Sequence, residues 1–177
     1  MSRYLKNNLL LGLKTSPLNG LKYSLAIAVS YSVIAFVIGA GSDLFRYEFI
    51  KTDLAFVLPL TLFVIPSFLE EAFFRGVLIP NKSKEKSVTF IFWVTLLSTA
   101  SFVVWHPLNA VTINTGAQGF FLNPSFLAVV FFLGLACSLS YIISRSLWVP
   151  VILHWVTVLV WVYFLGGRNI VLASVAF

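Results

Sequence analysis

The sequence predicts an all-α fold, a polytopic membrane helix bundle with about five to six transmembrane helices. Hydrophobic residues form 59% of the 177 residues and charged residues only 10%. The mean hydropathy of +0.96 is too high for the surface of a water-soluble domain of this size. Most apolar residues lie in runs long enough to cross a bilayer. The chain is therefore expected to be a multi-pass integral membrane protein without a separate soluble domain.

The positive charges are placed as in a membrane protein. The formal charge of +6 comes from lysines and arginines in short loops between apolar runs, so no nucleic-acid partner is expected. When the runs are threaded alternately across the bilayer, most of these cations fall on the side of the N-terminus. The positive-inside rule therefore predicts a cytoplasmic N-terminus.

The chain divides into three predicted regions. Residues 1–22 carry lysine and arginine among leucines and no acid, which favours an interfacial helix against anionic headgroups. Residues 23–168 are expected to form a single transmembrane domain. Residues 169–177 form a C-terminal tail that is too short to cross the bilayer unaided.

Five apolar runs mark the spans of the transmembrane domain. They cover approximately residues 21–40, 54–70, 88–105, 124–143 and 147–165. Within the second run, Pro59 and Pro66 each remove a helix hydrogen bond, so a kink is expected just before Glu70.

The third span is expected to end at a proline. Pro107 disfavours helical backbone in the preceding residue, His106. Residues 107–124 contain glycines and asparagines but no charged residue, and we expect them to form a loop.

Residues 67–76, Ser-Phe-Leu-Glu-Glu-Ala-Phe-Phe-Arg-Gly, place two carboxylates and a guanidinium at the end of an apolar run. A charge at bilayer depth costs about 2.5–3.5 kcal/mol on insertion scales, which makes such residues functional candidates. Glu71 and Arg75 share a helix face, which predicts an ion pair. Glu70 points about 100° away, without a partner in its own segment. Glu70 is therefore the candidate catalytic carboxylate, and the alternative is that both glutamates end a helix among headgroups.

Both histidines, His106 and His154, lie at or inside apolar runs. A single histidine there is more often a hydrogen-bonded core residue, but two of them with an unpaired glutamate favour a shared site. Glu70 would act as general base on water, while the imidazoles orient the water and donate to an oxyanion. Alternatively, Glu70, His106 and His154 would bind Zn²⁺ with an open position for water. Both arrangements lead to hydrolysis, the first without a cofactor.

The predicted depths of these residues differ. A count of about 1.5 Å per residue from the loop at residues 81–87 places Glu70 about 16 Å and His106 about 28 Å into the membrane. A straight helical hairpin would keep them apart. We therefore expect the second helix to continue past its kink, or the third helix to tilt or to begin within the loop.

Three patterns in the chain resemble the motifs of the CPBP intramembrane proteases, which include the CAAX prenyl endopeptidases and bacterial relatives linked to bacteriocin processing and immunity. They are Glu70-Glu71-x-x-x-Arg75, Phe102-x-x-x-His106 and, in a later span, His154. The resemblance covers about residues 55–165. It implies a glutamic-type intramembrane endopeptidase, with metal dependence left open, for a membrane-associated peptide or protein of CAAX or bacteriocin-like type. The small chain fits a bacterial member in the inner (plasma) membrane.

The resemblance also implies roles for the matched residues. Glu70 would be the general base on a water that His106 positions, and His154 would help to stabilise the oxyanion. The supporting residues would be Glu71, Arg75 and Phe102.

The third motif departs from the family pattern. Four positions after the histidine the family usually has asparagine or another polar residue, whereas this chain has Val158, which cannot donate a hydrogen bond. Thr157, about 60° round the helix from His154, is the candidate substitute.

Two other functions stay open. In a non-catalytic immunity or scaffold protein of the same fold, loss of Glu70 would be harmless. In a proton-coupled transporter, Glu70, His106 and His154 would form a relay, but no paired repeats with matching broken segments are visible. A two-carboxylate glycosidase is disfavoured because adjacent Glu70 and Glu71 point apart.

Overall fold

The computed structural model describes residues 2–167 and residue 169, and the regular elements in this part are all helical. The α-helices are α1 Ser2–Lys14, α2 Leu21–Gly41, α3 Leu58–Leu62, α4 Leu69–Glu71, α5 Val88–Thr112, α6 Gln118–Phe121, α7 Pro124–Ser144 and α8 Trp148–Phe164. Phe63–Phe68 and Ala72–Val77 are π-helical, and Ser83–Glu85 and Thr115–Ala117 are 3₁₀ turns. Apart from Asn169, the predicted tail at residues 169–177 lies outside the described residues.

The all-α membrane bundle predicted from the sequence is confirmed. Among the described helices, α2, α5 and α7 are long and apolar enough to cross a membrane, and α8 is a shorter apolar helix of 17 residues. The predicted spans at residues 21–40, 124–143 and 147–165 agree with α2, α7 and α8 to within one residue at each end. Residues 58–77, which comprise α3, α4 and the two π-helical segments, form what we call the broken helix.

The predicted kink before Glu70 is present in the broken helix. Ile65 has the extended backbone angles φ −127° and ψ 117°, and Pro66 follows it. Pro66 has no N–H for the carbonyl of Leu62, and Ser67 Oγ donates to that carbonyl instead at 2.8 Å. The carbonyl freed by the kink thus has a local hydrogen-bond donor. Regular α-helix begins again at Leu69, so Glu70 lies on a helix.

Helix α7 lies between α2, α5 and α8 and packs against all three. Its Ser138 hydroxyl is bonded to its own backbone, at 2.8 Å from Gly134 O. Gly134 approaches α5 so closely that a Cβ there would lie 3.1 Å from Thr99 and 3.2 Å from Phe102. Small residues permit such close approach of membrane helices, and Gly134 thereby brings α7 against the candidate site.

Helix α5 continues through Pro107 to Thr112, so the predicted end at His106 was wrong. The predicted loop at residues 107–124 was also wrong, because the rest of it is largely the 3₁₀ turn and α6. Proline does disfavour helix before it, but in an apolar environment backbone groups need internal hydrogen bonds. The longer α5 provides these internal hydrogen bonds. At its C-terminal end Ile113 N–H donates to Asn109 O at 2.9 Å.

Helix α1 packs against the end of the broken helix. Asn8 is 5% exposed, and its Nδ2 donates to Gly76 O at 2.8 Å and to Ile79 O at 2.9 Å. Ile79 and Asn81 are buried, so the chain stays inside the protein after the broken helix ends. The broken helix itself continues past its kink to Val77, which is one of the alternatives predicted from the difference in depth between Glu70 and His106.

Candidate active site

Glu71 and Arg75 form the ion pair that their spacing predicts. Arg75 Nη1 lies 3.0 Å from Glu71 Oε1, and both side chains are fully buried. Arg75 Nη2 also donates to Gly134 O of α7 at 2.9 Å. Each buried charge thus has a partner of opposite sign, and the pair ties the broken helix to α7. Glu71 Oε2 and Arg75 Nε are buried without a hydrogen bond to the described residues.

Phe102 is fully buried in contact with three polar groups of the site. The guanidinium carbon of Arg75 lies 4.5 Å from the centroid of its ring, a cation–π distance. The rings of His106 and His154 meet it edge-on, with centroids 5.0 Å and 5.6 Å away. The single aromatic ring therefore brings both histidines together beside the ion pair.

His154 on α8 is 2% exposed and lies between the two glutamates. Its Nδ1 is 2.9 Å from Glu71 Oε1, and its Nε2 is 4.0 Å from Glu70 Oε2. A carboxylate in an ion pair only accepts hydrogen bonds, so Nδ1 carries the hydrogen and donates it to Glu71. Nε2 is then the nitrogen presented to Glu70.

Glu70 has one oxygen bound and one free. Trp105 Nε1 donates to Glu70 Oε1 at 2.9 Å. Glu70 Oε2 is buried and has no hydrogen-bond partner among the described residues. Trp105 is not among the site residues predicted from the sequence, although its indole N–H lies next to His106 in the same apolar run.

His106 on α5 is 8% exposed and is held by its own helix. Its Nδ1 is 2.9 Å from the carbonyl of Phe102, four residues earlier. Because a carbonyl oxygen only accepts, Nδ1 is the donor, and in the neutral ring Nε2 is left as an acceptor.

Glu70, His106 and His154 line one cavity of about 830 Å³, as does Trp105. The cavity lies between α2, the broken helix, α5, α7 and α8, and most of its wall is apolar. Its volume is within the usual range of ligand sites. The structure thus brings the three candidate catalytic residues to one cavity, while their catalytic roles stay predictions.

The three residues do not form a ready metal site. Within the described part of the chain, no group of three or more His, Cys, Asp or Glu side chains is arranged to hold a metal ion. His154 Nδ1 is bonded to Glu71 and His106 Nδ1 to a carbonyl, so only the Nε2 atoms are available as ligands.

The chain matches the model of a known protein family. The model of the family described as type II CAAX prenyl endopeptidase Rce1-like matches residues 52–160, which is more than half of the chain. The match includes the broken helix, α5, α7 and most of α8, and with them the whole cluster around Phe102. Comparison with curated proteins and with solved structures gave no match.

Proposed function

The chain belongs to the type II CAAX prenyl endopeptidase Rce1-like family, and from this premise we propose that Glu70 activates water to cleave a membrane-associated peptide. The observation that carries the proposal is the free Oε2 of Glu70, buried at the cavity 4.0 Å from His154 Nε2. A water bound to this oxygen would be within reach of the imidazole.

In each of the three residues one polar atom is held by a hydrogen bond and the other is left for the reaction, which supports this assignment. Trp105 holds Glu70 Oε1, which leaves Oε2 as the base. His106 has Nδ1 on a carbonyl, so its Nε2 can accept a hydrogen bond from the attacking water and position it. His154, held by Glu71, can donate from Nε2 to the oxyanion when its ring carries both protons.

The proposed reaction is hydrolysis of one peptide bond. The water oxygen bonds to the carbonyl carbon, its proton passes to Glu70, and the carbonyl π pair becomes the oxyanion. When the carbonyl re-forms, the C–N bond breaks and the leaving nitrogen takes the proton from Glu70. The products are a carboxylic acid and an amine, and Glu70 is regenerated.

The substrate is proposed to be a peptide or protein with an apolar or lipid-bearing segment, of CAAX or bacteriocin-like type. The apolar wall of the cavity supports such a segment, because it gains by leaving water. We further propose a cytoplasmic N-terminus, on the distribution of lysine and arginine. A bacterial inner membrane is proposed only on the resemblance to bacterial members of the family.

The test is cleavage of a panel of membrane-tethered reporter peptides by purified protein. Wild type is compared with Glu70→Gln, His154→Ala and the matched control Glu85→Gln, which changes an exposed acid of a surface loop. Wild type and the control are expected to cleave, while both site variants lose activity. Cleavage by Glu70→Gln would overturn the proposal.

A second arm tests zinc and the non-catalytic alternative. Activity that a chelator abolishes and zinc restores would support the zinc prediction, whereas activity that resists the chelator favours a water held by Glu70 alone. If folded wild type cleaves nothing in a panel that an active family member cuts, the protein is a scaffold rather than a protease.

A further inference from the structure

The site requires hydrogen-bond donors for the oxyanion that forms on the substrate carbonyl, and their identification rests on the proposed function. Several polar hydrogens at the cavity wall are already used. Trp105 donates to Glu70, and Ser32 Oγ donates to Ala28 O at 2.8 Å. His154 Nε2 alone gives a single donor at most.

Thr157, the substitute predicted for the missing polar residue, is not free to donate. Its hydroxyl has one hydrogen, and that hydrogen is directed at Leu153 O at 2.9 Å. Val158 lines the same cavity but has no polar group. Neither Thr157 nor Val158 therefore supplies a free donor beside His154.

Tyr31 on α2 offers such a donor. Its side chain lines the cavity and is 4% exposed. Its hydroxyl is buried without a hydrogen bond to the described residues. Native proteins leave few buried hydroxyls unpaired, so a free phenol in a ligand-sized cavity indicates a group that the substrate pairs.

The position of Tyr31 matches this role. Its hydroxyl lies beside the Thr157 side chain, a nearby group that could accept the phenol hydrogen, although the two do not meet hydrogen-bond geometry. Thr157 is three residues and so about 4.5 Å along α8 from His154. Trp161 Nε1 is also buried and unpaired, but it is seven residues and about 10.5 Å along α8 from His154. Of these two free donors, Tyr31 is the one at the level of the proposed reaction.

We propose that Tyr31 is a catalytic residue whose hydroxyl donates a hydrogen bond to the oxyanion, beside His154. The hydroxyl keeps its proton, and no covalent bond to Tyr31 forms. Tyr31 lies outside the range that the family model matches. In this chain α2 would thus supply the donor that Val158 on α8 cannot.

The test compares Tyr31→Phe with wild type in the reporter assay and in thermal unfolding in detergent. The variant removes only the hydroxyl, and loss of one oxyanion donor lowers kcat about 100-fold with KM unchanged. The melting temperature is expected to stay the same or rise, since a buried unpaired group is removed. Tyr23→Phe, on an exposed face of the same helix, is the matched control and keeps full activity.

The outcomes separate this inference from the proposed function. If Glu70→Gln is inactive while Tyr31→Phe keeps kcat within twofold of wild type, Tyr31 is not the donor but the protease proposal stands. A loss of activity that follows a lowered melting temperature, or a change in KM alone, would likewise overturn the role of Tyr31. A wild type that cleaves nothing overturns both.

Discussion

Glu71 Oε1 lies 2.9 Å from His154 Nδ1, and both residues are buried. The same oxygen accepts a hydrogen bond from Arg75 at 3.0 Å. A carboxylate on Nδ1 fixes the tautomer and the orientation of an imidazole whose Nε2 faces the reaction. Glu71 therefore orients His154 as well as pairing with Arg75, and the adjacent Glu70, which takes no part in this pair, is the proposed base.

Glu71→Gln is expected to destabilise the protein, because Arg75 would be left as a buried charge without a counter-charge. The loss in the free energy of unfolding is expected to be about 3–5 kcal/mol. Glu70→Gln is expected to leave this free energy nearly unchanged. The Glu70 carboxylate lines the cavity and accepts one side-chain hydrogen bond, from Trp105, which the glutamine carbonyl can also accept. Unfolding of both variants in detergent measures the difference. Equal losses would contradict separate roles for the two glutamates.

Arg75→Lys is expected to weaken the bundle although the charge is kept. The guanidinium bonds Glu71 and Gly134 O at once and stacks on Phe102 at 4.5 Å, which a lysine ammonium cannot reproduce. We expect the free energy of unfolding to fall by about 2 kcal/mol, the worth of a hydrogen bond to a charged group. The control is Arg3→Lys on an exposed face of α1. If Arg75→Lys is as stable as this control, the two simultaneous guanidinium hydrogen bonds do not contribute to stability.

The long apolar runs predicted α2, α7 and α8 closely, because nothing competes with helix formation in a run of apolar residues with polar ends. Pro66 also predicted the kink correctly. Pro107 did not end α5, since local backbone preference is weaker than the need for internal hydrogen bonds in an apolar environment. Proline therefore predicted the kink at Pro66 correctly and the helix end at Pro107 wrongly.

The spacing of the motifs predicted the pair of Glu71 with Arg75 but not the contacts between helices. The bonds of Glu71 to His154 and of Glu70 to Trp105 join residues 83 and 35 positions apart in sequence. Helical periodicity orders side chains on one helix only. Contacts of this kind depend on packing against α7, which a single sequence does not reveal.

Trp105→Phe is expected to lower activity with little effect on stability. The indole N–H donates the hydrogen bond that holds Glu70 Oε1. A hydrogen bond to a charged group contributes about 1.5–3 kcal/mol of free energy. If this free energy serves to orient Glu70 as the proposed base, its loss in Trp105→Phe lowers kcat about tenfold or more relative to wild type. Trp93→Phe, on an exposed face of the same helix, is the control. Equal kcat for the two variants would show that Glu70 does not depend on Trp105.

Asn8→Ala is expected to destabilise the packing of α1 against the broken helix. The Asn8 side chain donates to Gly76 O and Ile79 O and accepts from Asn81 N–H at 2.7 Å, so alanine would leave three buried backbone groups without these bonds. Each buried group left without a hydrogen bond lowers the free energy of unfolding by about 1–3 kcal/mol, and by less where water enters and bonds to it. Thermal unfolding in detergent measures the loss, and the exposed neighbour Asn7→Ala is the control. If Asn8→Ala and Asn7→Ala unfold alike, α1 is an interfacial anchor rather than a structural part of the bundle.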